Sequence, residues 1–284
     1  MTTTTASPTS TTERDALLAD LEDLWRCLDE IFAGLTPADW QRKHGPDWTM
    51  ADVPYHLSYF DREVVAEPFE RGPDIPESER RVIASLAEVN AWNAEQFARR
   101  PAGQTPAGSL AQMRASRDRI RRLLAGITDA DLDRPAWRVL LGVFFVPARV
   151  GLEACRAHTW SHLTELRLRL KRSGPLPSAS SVHGALAFYA GIMAEMADRE
   201  TVAARMRPFT AVLAFSGPGG GAWTLRVAGG ACTIAEGVAA RPGLTMTQSP
   251  DTFLKTVARM QNPLLAMLTR KVKVRGYRNL GAFA

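Results

Sequence analysis

Five histidines occur in the chain, at positions 44, 56, 158, 162 and 183, and two of them stand four residues apart. Around that pair, Val150, Leu152, Cys155, His158, His162 and Leu166 recur at helical steps. A helix over this stretch puts both imidazoles on one face, about 6 Å apart along the axis, a spacing that suits two ligands of one metal ion. His56 lies a hundred residues earlier, on a stripe with Leu57, Phe60 and Glu63 that is expected to face a helical interior. Three neutral imidazoles converging between helices would make a tripod with an open coordination position. The same spacing also fits separate core or surface histidines, so the residue pattern alone leaves both readings standing.

Other reactive groups are weaker candidates. Glu165 follows His162 by three residues and His158 by seven, on the same stripe, where it would orient a ring N–H, shuttle a proton, or simply be solvated. Glu63, seven after His56, has the same status. Cys155 reads as a small buried residue rather than a ligand. His44 and His183 have no partners in sequence and read as structural. Gly217-Pro-Gly-Gly-Gly221 lacks the Lys-Ser/Thr and the following helix of a phosphate loop, and is expected to join two strands of a hairpin. No nucleophile-elbow motif supports serine-type hydrolysis.

The elements that must position these groups fall into two sets. Leu17, Leu18, Leu21, Leu24, Trp25, Leu28, Ile31, Phe32 and Leu35 form one amphipathic stripe, ended or re-capped at Thr36-Pro37. Thr49 and Asp52 have capping-box spacing, with Trp48 before them, and open the helix that carries His56. Pro68 and Gly72-Pro73 are expected to stop it. Helices are expected over Ser78 to Arg99 and Ser109 to Gly126. After the apolar run ending at Phe145, Pro147 is expected to open the helix of the histidine pair, which reaches about Leu170. Stripes of this kind must bury one another, which predicts an N-terminal all-α four-helix bundle. Ser173 to Ser180 has a linker's composition. Beyond it come a helix from Val182 to Arg205, then short β-like runs at Phe209–Phe215, Ala222–Val227, Ala231–Ile234 and Leu244–Thr247. Ser249 caps a helix over 252–260, Asn262-Pro263 opens another, and Lys271 to Arg275 alternates like an edge strand. The expected division is a tail over 1–12, a bundle over 13–172, a linker over 173–180 and a C-terminal α+β domain over 181–284.

Composition narrows the class. The 284 residues are 45% hydrophobic and 23% charged, which is globular. No apolar run approaches the roughly 18 residues of a membrane span; Val139 to Val146 is the longest, so no membrane partner is expected. The N-terminal Thr/Ser tract is expected to be a floppy tail and not a secretory signal. Three dispersed cysteines make no disulfide framework and point to a reducing cytoplasm. The net charge is +5, and the basic clusters at Arg114, Arg117, Arg119, Arg121, Arg122 and at Arg167, Arg169, Lys171, Arg172 lack interleaved aromatics. They read as solvated helix faces, with no nucleic-acid partner expected.

Two segments carry a family likeness. Trp48-Thr-Met-Ala-Asp-Val-Pro-Tyr-His56-Leu and His158-Thr-Trp-Ser-His162-Leu-Thr-Glu165-Leu resemble the DinB-like metal-binding bundles and, within them, the N-terminal domains of mycothiol-dependent maleylpyruvate isomerases. The pattern from Gly237 through Pro242, Leu244-Thr-Met-Thr, Ser249, Asp251 and Phe253, then Asn262-Pro263 and Lys271-Val-Lys-Val, is similar to the sterol-carrier-protein type 2 fold. The resemblance implies His56, His158 and His162 as metal ligands. His158 stands where the isomerases have a glutamate, which makes the site more positive, and Glu153 does not replace it because it points away around the helix.

Three imidazoles favour a divalent transition ion, zinc first and nickel or iron next, over magnesium or calcium. The implied activity is a metal-dependent one, with mycothiol or a similar thiol as cosubstrate in transfer to, or isomerisation of, a small electrophile. The expected partners are that thiol and that electrophile. Two other expectations compete: a non-enzymatic carrier of a lipid or other hydrophobic ligand through the C-terminal domain, and a metal-binding protein without turnover.

Overall fold

The computed structural model describes residues 12–45, 48–74, 76, 86–137, 145–171, 174–196 and 207–276. The expected tail therefore lies outside them, apart from Thr12, as do most of the run Val139 to Val146, the start of the helix expected from Ser78, and the end of the one expected to reach Arg205.

Helix α1 (Glu13–Ala33) begins where the Thr12 side chain accepts from the Asp15 N–H, and it buries Leu17, Leu21, Leu24, Trp25, Leu28, Ile31 and Phe32. Thr36 and Asp39 form a capping box that starts a single turn, α2 (Pro37–Trp40). A second capping box joins Thr49 to Asp52, and through a 3₁₀ turn at Met50–Asp52 the chain enters α3 (Val53–Phe60). Every residue of α3 is buried, His56 among them.

Pro68 does not stop this helix. The chain widens into a π turn at Asp61–Ala66 and resumes as α4 (Glu67–Arg71), ending at Gly72 with φ +56°. Pro68 sits in the first turn of α4, where a missing N–H is tolerated once the wider turn before it has shifted the hydrogen-bond register. α5 (Leu86–Ala98) and α6 (Pro106–Ala125) follow. Pro147 does not open the next helix either. Phe145–Pro147 is a strand, β2, antiparallel to β1 (Pro135–Trp137), and Pro147 lies at the end of that two-stranded ladder, where no donor is needed. The helix opens just after it, as α7 (Arg149–Leu170), and closes on Lys171 in the left-handed region.

The bundle of α1, α3 with its continuation, α6 and α7 is followed by α8 (Ala179–Met196) and a mixed five-stranded sheet. Its strands are β3 (Phe209–Phe215), β4 (Gly221–Ala228), β5 (Ala231–Glu236), β6 (Leu244–Gln248) and β7 (Lys273–Arg275), in the order β5-β4-β3-β6-β7. β3 pairs antiparallel with β4 and parallel with β6, while β7 lies at an edge as its alternation suggested. The segment Gly217-Pro-Gly-Gly-Gly221 joins β3 to β4 as a hairpin, and a Cβ on Gly220 would fall 2.1 Å from the Phe215 carbonyl oxygen. α9 (Pro250–Val257) and α10 (Pro263–Leu268) are capped by Ser249 and Asn262.

One apolar cluster runs through both halves, from Leu24, Leu28, Leu57 and Trp160 to Leu186, Phe215, Trp223 and Phe253. Gly184 on α8 makes room for Arg156 of α7, since a Cβ there would meet the guanidinium carbon at 2.2 Å. Arg156 in turn pairs with Asp20 at 2.9 Å. One member of the arginine clusters departs from the solvated-face expectation. Arg117 is 2% exposed and pairs with Asp29 at 3.0 Å, because the carboxylates of Asp29 and Asp61 and the ring of Trp25 surround it. Among the described residues, no helix is long and apolar enough to cross a membrane.

The Thr49 cap is the start signal for the helix that carries His56. Thr49→Ala is expected to cost about 1 kcal/mol of stability, read as a lower urea midpoint at unchanged slope; an unchanged midpoint would contradict the role of the cap.

Candidate metal centre

His56 comes to the interior because the capping box sets the start of α3 and all eight residues of that helix are enclosed. Its Nδ1 meets the Tyr59 hydroxyl, and Tyr59 donates its proton to Asn93 Oδ1 at 2.6 Å. A phenol has one proton, so with that proton on Asn93 the Tyr59 oxygen accepts from His56 Nδ1–H. Burial pushes the Tyr59 phenol well up, which keeps it protonated. The consequence falls on the other nitrogen: Nε2 of His56 presents a lone pair.

That lone pair faces the α7 pair. His56 Nε2 is 2.9 Å from His158 Nε2, and His158 Nε2 is 3.2 Å from His162 Nε2. The His158 ring stacks on Phe60 at 3.8 Å, and its Nδ1 is buried with no hydrogen-bond partner. Burial and the neighbouring rings lower the pKa of His56 and His158 well below the usual histidine value, and burial holds His162 down at about 4. All three rings are therefore neutral at neutral pH, the form in which an imidazole could ligate a metal ion. Ligand atoms 2.0–2.1 Å from a tetrahedral ion are separated by about 3.3 Å, close to the spacings here.

The far side of His162 holds what the sequence did not reveal. His44, expected to be structural and partnerless, lies with Nε2 2.9 Å from Glu165 Oε2 and 3.3 Å from His162 Nδ1. It sits in the loop ahead of Trp48, closed by a bridge between Lys43 and Thr49 and by the His44 N–H donating to the Trp48 carbonyl. A loop contact of this kind carries no periodic signal. Glu165, by contrast, is where its stripe suggested, half-buried and beside His162. Hydrogen bonding to His44 and the nearby rings hold its pKa down, although burial pushes the other way. Glu63 is not brought to the site: it accepts from Gln96 and pairs with Arg62. Cys155 is fully buried with its thiol donating to Asp61 at 3.2 Å, and His183 Nδ1 lies 3.1 Å from the Gly220 carbonyl oxygen, far along the chain from this cluster.

The imidazoles open onto a cavity of about 860 Å³. Trp48, Phe60, Val89 and Phe97 give it apolar walls, and Asn90, Asn93, Asp52, Arg100 and Arg169 give it polar ones. Trp48 lies against His56 at 4.6 Å and Phe97 at 4.8 Å between ring centres. Asp52 serves twice, as the capping carboxylate of Thr49 and as the ion-pair partner of Arg100. Ala258, just past α9, also lines the cavity, so both halves of the chain contribute to it.

Comparison with known proteins places this architecture. The sequence profile of the DinB superfamily matches residues 20–166. The chain belongs to the DinB superfamily. Its C-terminal half carries a second domain, matched over residues 193–282 by the SCP-2 sterol transfer family. No curated protein matches it in sequence. Among solved structures it is similar to the mycothiol-dependent maleylpyruvate isomerase, at 12% identity and a TM-score of 0.52, over 85% of this chain and 87% of that one. A histidine-to-alanine mutant of that isomerase aligns at 11% identity with the same TM-score and coverage. At such identity the likeness is one of fold, and it embraces both domains of this DinB chain together.

Neutral buried rings make the metal-free DinB chain acid-sensitive. In the folded state His162 stays unprotonated down to about pH 4, whereas an unfolded histidine takes its proton near 6.5. Between these values the unfolded state binds more protons, so stability is complete above pH 6.5 and is lost as the pH falls toward 4. His162 alone accounts for on the order of 3 kcal/mol of that loss. Chemical denaturation of metal-free protein at pH 7 and pH 5 should show it, with a smaller difference in His162→Gln. An equal stability difference between the two pH values in both proteins would contradict the assignment.

Proposed function

We propose that the chain is a divalent-metal-dependent enzyme in which His56, His158 and His162 hold a transition ion, zinc before nickel or iron. A low-molecular-weight thiol of the mycothiol type is then activated for transfer to, or isomerisation of, a small electrophilic substrate. The observation that carries this reading is the meeting of three neutral Nε2 atoms, 2.9 and 3.2 Å apart, at the wall of a cavity large enough for two small molecules. The thiol takes its support from the mycothiol dependence named for the solved isomerase of similar fold.

When bound there, an ion lowers the pKa of a thiol in its open position and so supplies a nucleophile near neutral pH. The chain's own residues do the rest. Tyr59 and Asn93 hold His56 with its Nε2 lone pair inward. Phe60 fixes the plane of His158 by stacking. Glu165 lines the cavity on the far side of His162, where it orients that ring and stands ready to hold a proton. Trp48, Phe60 and Phe97 exclude water from the ligand side. Arg169, which makes no ion pair among the described residues, and Arg100, held by Asp52, give the cavity a positive edge toward anionic groups of the thiol or electrophile. An imidazole at position 158 in place of the isomerases' glutamate leaves the centre about one charge more positive. The reaction is therefore written by class, thiol addition to an electrophile, rather than carried over whole.

Purified protein is expected to carry transition metal, with less in His158→Ala, and to consume a thiol in the presence of electrophiles, at a rate at least about a hundredfold above that variant. Metal-free wild type would overturn the reading, and bound metal with no thiol consumed across a panel would favour a metal-binding protein without turnover. Tyr59→Phe is expected to weaken metal retention about 10–100-fold in chelator competition, because the hydroxyl that holds His56 is lost; unchanged retention would remove Tyr59 from the account. The carrier reading draws on the sterol-transfer description of the C-terminal family. It expects fatty ligands in organic extracts of the purified full chain, and clean extracts by mass spectrometry would count against it.

A further inference from the structure

Three polar atoms meet behind His162 in a way that protons no longer fully satisfy once an ion takes the His162 Nε2 lone pair. His44 Nε2 lies 2.9 Å from Glu165 Oε2, and His162 Nδ1 lies 3.3 Å from the first and 3.9 Å from the second. With the His162 Nε2 lone pair turned to the ion of the three-imidazole site, a neutral ring carries its proton on Nδ1, aimed at His44. If His44 accepts it, His44 keeps its own proton on Nδ1, which is buried without a partner. Its Nε2 lone pair then faces a carboxylate oxygen at 2.9 Å, acceptor against acceptor. If His44 donates to Glu165 instead, the His162 Nδ1–H faces a nitrogen 3.3 Å away that has no lone pair to offer it. With the first ion in place, either neutral tautomer of His44 leaves one of these polar contacts unserved, at a site where His44 is 3% exposed.

A cation among the three atoms relieves both contacts. Two nitrogen lone pairs and a carboxylate oxygen then point at one centre, and separations of 2.9–3.9 Å bracket the spacing of tetrahedral ligands. We propose that the cavity holds a second divalent transition ion, bound by His44 Nε2, His162 Nδ1 and Glu165, so that the His162 ring bridges two ions. The proposal rests on the three-imidazole reading for the first ion. As the second ion binds, the proton on His162 Nδ1 leaves to solvent. The resulting imidazolate and the Glu165 carboxylate together offset two of the added positive charges. With bonds of 2.0–2.1 Å on opposite ring nitrogens, the ions stand about 6 Å apart. Two nitrogens and one oxygen suit zinc, copper or nickel and not magnesium or calcium.

The test is titration of metal-stripped full chain with Zn²⁺, with bound metal measured by elemental analysis after equilibrium dialysis. Two ions per wild-type chain and one in His44→Ala, His44→Gln and Glu165→Gln are expected. Loaded with Cu²⁺, the wild type is expected to give a weakened paramagnetic signal from coupling through the shared ring, and His44→Gln the full signal of one isolated copper. One ion per chain in the wild type, with the same value in His44→Gln and Glu165→Gln, would overturn the second site and leave the first intact. No retained ion in the wild type would overturn both.

Discussion

Three uncharged imidazoles facing one another across about the width of a metal ion are the constraint around which the rest of the structure is arranged. His158 Nε2 lies 2.9 Å from one neighbouring ring nitrogen and 3.2 Å from the other, and a single ring proton there can serve only one of the two well, whereas a cation between the rings would meet all three. Everything that keeps the rings there has a physical cause that can be named. The hydroxyl of Tyr59 sets the tautomer of His56, the ring of Phe60 sets the plane of His158, and the one-turn spacing on α7 brings His162 beside it. An arrangement of this kind could hold a metal ion with little rearrangement of the rings.

The second domain bears on the centre through packing. Leu186, Phe215, Trp223 and Phe253 share a core with Leu57 and Trp160, and Ser161 on α7 meets the Tyr189 hydroxyl of α8. α7 thus has one face on the histidine cluster and another against α8, so the helix carrying two of the three rings is clamped from both halves. Ala258 reaches the cavity from beyond α9. A change in how the sheet domain sits on the bundle would therefore alter the cavity directly, whatever the sheet domain itself binds.

Much of this was legible in the residues because the causes are local. The stripe of α1, the capping box at Thr49 and Asp52, the strand Phe209–Phe215 with its glycine hairpin, and the edge strand at Lys273–Arg275 all follow from periodicity or turn chemistry. The same locality misled at Pro68 and Pro147. A proline removes one donor, and the chain absorbed that loss with a π turn in one case and a short ladder end in the other. His44 was illegible for a different reason. It reaches Glu165 from a loop more than a hundred residues away, and no spacing rule links a loop residue to a helix face that only folding brings near. Arg117 was hidden likewise, because its burial depends on Asp29 and Asp61 from two other segments. Helix existence is written in neighbours along the chain; the environment of a side chain is written in neighbours across it.

The most direct test of the account is anomalous X-ray diffraction from crystals of zinc-loaded protein, collected on either side of the metal edge. The account predicts a peak within about 2.0–2.1 Å of Nε2 of His56, His158 and His162 together. A peak bound elsewhere, with these rings turned apart or hydrogen-bonded to one another through water, would contradict it.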